Sequence, residues 1–389
     1  MSAALRAPRP AARTAAVARK KTDSTRPPGQ IVLVLQGGGA LGAYQVGVYQ
    51  ALHEAGIEPD WVIGTSIGAI NAAIIAGNEP RERMEKLNEF WESMEWRSPF
   101  GHFQLEANLV NPWANLTTMM NGVPGFFVPN PASWWGLQTP LGLENASFYK
   151  TAPLRDTLNG LIDFDRRATR LTVGAVNART GAMRYFDSRD LQLGAEHVMA
   201  SGALPPAFGA IRIDGEPYWD GGIYSNTPSE VVFDDNPRRS STIFAVHLWN
   251  PSGSEPDSIW QVLGRQKEIQ YSSRAKSHIA RQQQIHRLRH VINQLADRLP
   301  EKERQSPEVR ELASWGCRTT MHIVRLLAPR LAGEDHTKDI DFTPGGVHGR
   351  REAGYADAKD VIVQAPWTHP VDPLEGVVLH EYESKQTMP

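Results

Sequence analysis

Two consecutive strand–turn–helix units near the start of the 389-residue chain constrain its fold more than any other feature. An apolar run over Ile31–Leu35 predicts a buried strand, and a glycine-rich turn leads from it into a helical pattern over Gly42–Ala55, which ends before Gly56. The pattern then repeats, with a predicted strand over Trp61–Ile63, a sharp turn and an apolar helix over Ile67–Ala76. This alternation predicts an α/β fold in which a central, mostly parallel sheet carries helices on both faces.

Later elements are predicted from the same periodicities. An amphipathic helix is expected over Arg81–Met94, a β-hairpin turns near Arg179–Gly181, and the segments TIFAVHLW and TMHIVRLLAP each predict a strand. Asp257–Leu299 predicts a long helix. Its heptad-spaced apolar residues are Ile285, Leu288, Ile292, Leu295 and Leu299. So short a series favours docking of this helix on the body of the protein, with a coiled-coil dimer as the alternative.

Composition excludes several classes of protein. The chain has 41 Lys and Arg against 43 Asp and Glu, and seven of the cations lie in the first 30 residues, so the body is mildly acidic and gives no indication of a nucleic-acid partner. The single cysteine, Cys317, excludes an intramolecular disulfide framework. The longest uncharged stretch, Trp61–Asn78, is too short and too polar to span a membrane. We therefore expect a cytoplasmic protein, with peripheral membrane contact left open.

The turn after the first strand matches the G-x-G-x-x-G dinucleotide fingerprint through Gly37, Gly39 and Gly42. A dinucleotide site also needs a carboxylate at the end of the second strand, to bind the ribose hydroxyls. That strand ends without one, and Asp60 precedes it, which places Asp60 at the opposite edge of the sheet. The glycine loop therefore suits another negative charge better than a pyrophosphate.

The second turn, Gly64-Thr65-Ser66-Ile67-Gly68, has the G-x-S-x-G pattern of a nucleophile elbow. Its glycines permit the tight turn that projects the Ser66 hydroxyl at the carboxyl edge of the sheet. An acyl-transfer nucleophile also needs backbone N–H donors nearby for the oxyanion of its tetrahedral intermediate. The neighbouring loop Gly37, Gly38 and Gly39 can supply them.

A base for the Ser66 hydroxyl is needed as well. Asp220-Gly221-Gly222 follows the apolar residues Tyr218 and Trp219, where burial would make the carboxylate more basic. The alternative interpretation of this motif is an ordinary Asp-Gly turn.

Taken together, Q-G-G-G-A-L-G, G-T-S-I-G and D-G-G, in this order, closely resemble the patatin-like phospholipases, and the segment before Asp220 resembles that family too. The resemblance covers about Gln30 to Trp249. It implies a three-layer α/β/α fold, hydrolysis of carboxylic esters of phospholipids or related acyl lipids, and no cofactor or metal. It further implies a Ser66–Asp220 dyad without histidine and an oxyanion hole formed by the glycine loop. Many relatives carry Arg or Lys where this chain has Leu41, which puts a cation for a phosphate headgroup in doubt.

Three regions follow from this resemblance. Residues 1–29 are expected to be a disordered basic tail, although an organelle transit peptide or a tether to anionic lipid fits the same composition. Residues 30–250 are expected to form the catalytic domain, and residues 251–389 a helical and mixed C-terminal extension that resembles one found on some bacterial patatin-like proteins. The aromatic-rich insertion over about 96–149 predicts either a satellite core or a lid over an apolar ligand, with Trp134 and Trp135 as the residues that contact lipid.

Two alternative functions remain open at this stage. An α/β-hydrolase would share the elbow and use a Ser-Asp-His triad. The histidines that could complete such a triad are His247, His278, His286 and His290. His247 is expected to be buried and hydrogen-bonded within a strand, and the other three are expected on the solvated surface of the long helix. The second alternative is a catalytically silent scaffold that binds membranes. The oligomeric state is not predicted.

Overall fold

The computed structural model describes most of the chain outside the N-terminal tail and the first part of the insertion. The described residues are 26–95, 122–123, 125–136, 138–166, 168–331, 334–382 and 384, without the side chains of residues 134 and 273–276. The predictions for most of the tail, for residues 96–121 and for the Trp134 side chain therefore lie outside the described residues.

One mixed sheet forms the centre of the described structure. Its strands are β1 (Gln30–Leu35), β2 (Trp61–Gly64), β5 (Arg170–Asn177), β6 (Met183–Asp187), β7 (Ile211–Ile213), β8 (Glu216–Asp220), β9 (Ser241–His247), β10 (Met321–Leu327) and β11 (Val377–Tyr382); β3 (Val128–Pro129) and β4 (Tyr149–Lys150) pair separately. The strand order is β11-β10-β9-β1-β2-β5-β8-β7, and β6 pairs with β5. The strands from β11 to β5 run parallel, whereas β6 and β8 each pair with β5 in antiparallel fashion and β7 pairs with β8 in antiparallel fashion.

Helices cover both faces of this sheet, as the sequence predicts. They are α1 (Ala43–Glu54), α2 (Ile67–Ala76), α3 (Pro80–Met94), α4 (Ala152–Leu161), α5 (Ala195–Ser201), α6 (Glu230–Phe233), α7 (Ile259–Arg298), α8 (Glu301–Arg304), α9 (Pro307–Ser314) and α10 (Pro344–Gln364). Alternate residues of β1 enter two separate cores, because successive side chains of a strand point to opposite faces. Leu33 packs with α1 and α2, whereas Val34 packs with residues of α6 and α7.

The register of the central strands brings two turns together. Leu35, at the end of β1, pairs with Gly64, at the end of β2, and on its other side with Val246 of β9. The turns that follow β1 and β2 therefore leave the sheet side by side at its carboxyl edge, where ligands bind in open α/β sheets.

Residues beyond 250 continue the same sheet, since β10 pairs with β9 and β11 pairs with β10. Helix α10 crosses α1 closely: a Cβ on Gly354 would lie 2.0 Å from the Tyr44 carbonyl oxygen, so only glycine fits there. The Tyr44 hydroxyl donates a hydrogen bond to Asp357 Oδ2 at 2.9 Å. The C-terminal region contains the expected helices and also these two strands, while the division at residue 250 remains a prediction.

Helix α7 docks on the body, as favoured by the sequence, although two of its heptad residues face solvent. Its buried side includes Ile279, His286 and His290, whereas Leu288 and Leu295 are exposed. The prediction that His286 and His290 lie on a solvated surface is therefore wrong. His290 is buried with its two ring nitrogens 2.9 and 3.0 Å from the carbonyl oxygens of Thr319 and Pro373, and its ring N–H donates to one of these acceptors.

The described end of the insertion contributes an aromatic cluster to the hydrophobic core. Phe127 lies 4.8 Å from Tyr149 and 5.3 Å from Phe208, measured between ring centroids, and Phe126 packs beside them. Trp135 is 78% exposed. This end of the insertion therefore contributes to the hydrophobic core, while the lid and the lipid contact of the insertion remain predictions.

Candidate active site

Ser66 occupies a strained turn between β2 and α2. Its φ of 56° and ψ of −127° lie in a region that residues with a side chain rarely adopt. A Cβ on Gly64 would lie 2.2 Å from the Gly68 carbonyl oxygen, and one on Gly68 would lie 2.3 Å from the Leu35 carbonyl oxygen. The two glycines of the motif are thus required by close backbone contacts. Ser66 N–H donates to the backbone oxygen and to Oγ of Ser201, both at 3.1 Å, which holds the turn in place.

Asp220 ends β8, next to β5, and its side chain is almost completely buried. Burial raises the pKa of the Asp220 carboxyl to about 7, and hydrogen bonds from the Ser66 side chain and the Gly222 N–H act in the opposite direction. The bond from Gly222 N–H to Oδ1 is 2.7 Å long. A Cβ on Gly221 would lie 2.4 Å from the Gly174 carbonyl oxygen of β5, so glycine is needed there. The structure thus brings together the elbow serine and the carboxylate singled out in the sequence.

The glycine loop lies directly beside Ser66. A Cβ on Gly37 would be 3.0 Å from Ser66 Cβ. Gly37 N–H donates to the Asn226 carbonyl oxygen at 3.2 Å and is therefore occupied. No hydrogen-bond partner is found within the described residues for the N–H groups of Gly38 and Gly39, and both glycines are partly exposed. These two groups are free to bind a negative charge.

Polar residues that the sequence did not single out fix this loop. Asn226 Nδ2 and Trp249 Nε1 donate to the Gly37 carbonyl oxygen at 3.1 and 2.8 Å. The buried Gln36 side chain accepts from the N–H groups of Leu248 and Trp249 and donates to the Tyr271 carbonyl oxygen at 3.2 Å. The sequence does contain a signal for Gln36, which directly follows the apolar strand β1. A glutamine at such a buried position needs several hydrogen-bond partners, so it indicates a residue that fixes the neighbouring loop.

Tyr271, on α7, also approaches the site from the C-terminal region. Its ring packs on Trp249 with centroids 5.1 Å apart. Burial raises the pKa of the Tyr271 phenol to about 12, and the negative charges of Asp220 and Asp339 contribute. No sequence pattern singles out Tyr271, because nothing in a 40-residue helix indicates which turn faces the site.

The histidines considered for a triad do not hydrogen-bond Ser66 or Asp220 in the described structure. His247 is buried in β9, where burial and then Arg325 lower its pKa to about 3, and its Nε2 has no described hydrogen-bond partner, contrary to expectation. Burial lowers the pKa of His286 to about 4. His278 is partly exposed and lies 3.7 Å from Glu230.

Within the described residues, β2 ends at Gly64 and no carboxylate follows it in the turn to α2, where a dinucleotide site would need one. Asp60 Oδ2 accepts the Ile31 N–H at 2.8 Å, at the start of β1, as the sequence predicts for the opposite edge. No group of three or more His, Cys, Asp or Glu side chains suited to a metal ion occurs in the part of the chain that the structure describes. Nor does that part contain a helix long and apolar enough to cross a membrane.

An α/β sheet with an elbow serine beside a glycine loop and a buried aspartate defines a recognisable class of proteins. The family model described as patatin-like phospholipase matches residues 33–233, and a second, described as patatin phospholipase, matches residues 269–374. The chain belongs to the patatin-like phospholipase family.

Individual relatives match over limited regions. Patatin-like phospholipase domain-containing protein 6 of Homo sapiens is 44% identical over 203 residues, which is 52% of this chain and 12% of that protein. Protein 7 of the same series, from Rattus norvegicus, is 29% identical over 204 residues, again 52% of this chain and 12% of the relative. The chain thus spans about an eighth of the length of these relatives. The crystal structure of VipD from Legionella pneumophila is 16% identical, with a TM-score of 0.40, over 87% of this chain and 67% of that one.

Proposed function

We propose that this protein is a lipid acyl hydrolase that cleaves carboxylic esters of phospholipids or related acyl lipids, with Ser66 as nucleophile and Asp220 as base. The observation that carries the proposal is the buried Asp220 carboxyl, hydrogen-bonded to the side chain of the elbow serine. Names of relatives that include phospholipase, lysophospholipase and triacylglycerol lipase support a lipid ester as the substrate.

In the first half of the reaction, Ser66 Oγ attacks the ester carbonyl carbon while its proton passes to Asp220. A base is most effective when its pKa lies near the working pH, and the pKa of about 7 for Asp220 meets this condition. The tetrahedral oxyanion accepts hydrogen bonds from Gly38 and Gly39, whereas Gly37 supports the loop through Asn226. The Asp220 proton then passes to the leaving alkoxide oxygen, which leaves an acyl-Ser66 ester.

In the second half, water replaces the alcohol. Asp220 accepts a proton from the water as it attacks the acyl carbonyl, and the same N–H donors bind the second oxyanion. Collapse of this intermediate returns a proton to Ser66 and releases the carboxylic acid. No cofactor or metal enters the proposed steps.

Peripheral contact with lipid aggregates is part of the proposal. The first turns of α7 expose apolar side chains: Ile259, Trp260, Val262 and Leu263. They follow β9 at the carboxyl edge of the sheet, the edge that carries Ser66, and Ile223 and Tyr224, just beyond Asp220, are exposed as well. Exposed Trp and aliphatic side chains beside a site for lipid esters suit the boundary between water and acyl chains.

The test is labelling with a serine-directed fluorophosphonate, followed by peptide mapping. Wild-type protein should be labelled at Ser66, whereas Ser66→Ala should lose both labelling and ester hydrolysis at unchanged thermal stability. Ser314→Ala, at an exposed serine of α9, serves as the matched control and should behave as wild type. Substantial hydrolysis by Ser66→Ala would refute the nucleophile, and an unlabelled, inactive wild type would favour a silent scaffold.

A further inference from the structure

A cavity of about 260 Å³ lies between the glycine loop and the C-terminal region. Its aliphatic wall is built by four segments that are distant in sequence. The residues are Leu41 of the glycine loop, Leu248 after β9, Ala328 and Leu331 after β10, and Ala353 of α10. It is therefore a product of the way the C-terminal strands and α10 pack against the first strand–turn–helix unit.

The cavity suits an apolar ligand. Charged residues at its border are paired with one another: Lys338 Nζ lies 2.6 Å from Glu268, and Arg350 Nε lies 3.0 Å from Glu334. Arg330 bonds Glu268 at 3.0 Å, but its side chain is half exposed at the border. The cavity thus presents an aliphatic wall with one accessible cation at its edge.

The volume of the cavity limits the length of an apolar ligand. A water molecule occupies about 30 Å³ of the liquid, and a methylene group is of similar size, so the cavity accommodates roughly eight to ten methylene groups. Asn250, Ser252 and the paired charged residues also line the cavity, so its aliphatic wall is the part that suits an apolar occupant.

The cavity lies against the loop that faces Ser66. Leu248 lines it, and Leu248 Cδ1 would be 2.8 Å from a Cβ on Gly38. Leu41 follows three residues after Gly38, while Gly37 lies beside Ser66 on the other side of the same loop. The cavity and Ser66 are therefore both adjacent to this loop.

We propose that this cavity binds an unbranched acyl chain over about eight to ten methylene groups. The assignment of an acyl chain rests on the proposed function. The chain has two sources with the same chemistry, namely the acyl chain of the substrate and a released fatty acid whose carboxylate pairs with Arg330.

Binding is tested with saturated fatty acids from hexanoate to hexadecanoate, titrated calorimetrically into full-length protein below their micellar concentrations. Affinity should rise about fourfold per methylene group until the cavity is full, near ten to twelve carbons, and then level off. Ala328→Phe narrows the cavity at its border and should weaken dodecanoate binding at least tenfold. Ala353→Leu fills part of the cavity from the α10 side and should weaken dodecanoate binding to a similar extent. Ala356→Phe, on α10 but outside the cavity lining, is the matched control and should bind as wild type.

A second arm distinguishes the sources, using esters from butyrate to palmitate. If the chain belongs to the substrate, Ala328→Phe lowers kcat/KM for long-chain esters at least tenfold and leaves butyrate unchanged. If it belongs to a released fatty acid, the ester profile is unchanged and inhibition by dodecanoate is lost. The proposal is overturned by affinity that does not depend on chain length, or by filling variants that alter neither binding nor turnover. A protein that hydrolyses no ester would refute the proposed function, while the fatty-acid titration would still decide the cavity.

Discussion

Gly39 of the glycine loop packs against the backbone of Asp339 in the C-terminal region: a Cβ on Gly39 would lie 2.2 Å from the Asp339 carbonyl oxygen. The φ of Gly39 is +56°, which also favours glycine. Asp339 itself is held by Lys267 of α7 at 2.9 Å. The loop beside the elbow serine is therefore supported by Asp339, which lies 300 positions further along the chain.

Glu268 anchors this support and should be required for stability. Its buried carboxylate pairs with Lys338, Arg265 and Arg330. Burial alone would raise the pKa of Glu268, but the hydrogen bonds and charges of Lys338 and Arg265 outweigh it and lower the pKa. Glu268→Gln leaves buried Lys338 without a counter-charge and should lower the free energy of unfolding by about 3 kcal/mol in urea denaturation. Glu303→Gln, at an exposed glutamate, should have little effect.

Gly38→Ala should impair turnover more than binding. The new Cβ would meet Leu248 Cδ1 at 2.8 Å and displace the loop that carries the Gly38 and Gly39 N–H groups. Loss of an oxyanion donor lowers kcat by roughly 10²–10³ with a smaller change in KM. Gly345→Ala is the control, because a Cβ there meets no atom within 4 Å. An unchanged kcat in folded Gly38→Ala protein would exclude the loop from the reaction.

Asp220→Asn separates a dyad from a triad. The amide keeps the shape of the carboxylate and cannot accept the Ser66 proton, so kcat/KM on a short-chain chromogenic ester should fall on the order of 10³-fold or more. Alanine variants of His247, His278, His286 and His290, each first shown to be folded, should lose far less. One histidine variant that falls to the Ser66→Ala level would contradict the dyad.

In the wild type, kcat/KM should rise with pH and reach half its maximum near pH 7, as Asp220 loses its proton.

The same carboxyl should make stability depend on pH. The Asp220 pKa is raised from 3.8 to about 7 by folding, so the folded state retains a proton that the unfolded state loses in this window. The free energy of unfolding therefore falls as pH rises from about 4 to about 7. Asp220→Asn does not titrate and should exceed the wild type in stability at about pH 8, by on the order of 4 kcal/mol. Equal thermal stabilities of the two proteins at that pH would contradict a buried, destabilised carboxylate.

Two exposed tryptophans, Trp135 and Trp260, should contact lipid aggregates. Trp260 is 62% exposed on α7, and Trp135 is exposed at the end of the insertion. Trp135→Ala/Trp260→Ala should reduce sedimentation with phosphatidylcholine vesicles at least several-fold, because both side chains leave water on contact. Trp315→Ala is the control, since Trp315 is exposed but precedes β10, at the opposite edge of the sheet. Equal sedimentation of the wild type and the double variant would show that these two tryptophans do not contact lipid.

The sequence by itself determined the elements and the order of the central motifs. Local signals predicted three of these elements, namely strand β1, the turn at Ser66 and the helix over Ile67–Ala76. The signals are the spacing of apolar residues, the placement of glycines and the continuous apolar runs. The α/β class followed from their alternation. Ser66 and Asp220 were identified for the same reason, as each lies in a short motif whose glycines are required by local backbone geometry.

Only the tertiary structure decided the burial and the hydrogen-bond partners of the residues around Ser66 and Asp220. The burial that raises the pKa of Asp220 comes from strands and helices packed around β8, which no local pattern encodes. No local pattern indicates the burial of His286 and His290 either, since their spacing on the helix is typical of a solvated face. Nor does it indicate that the Gly37 N–H donates to the Asn226 carbonyl oxygen. Long-range packing joins residues from β1 to α10 in one site. The sequence therefore determines the candidate residues, while the fold determines the basicity of Asp220 and which N–H groups of the glycine loop are already occupied.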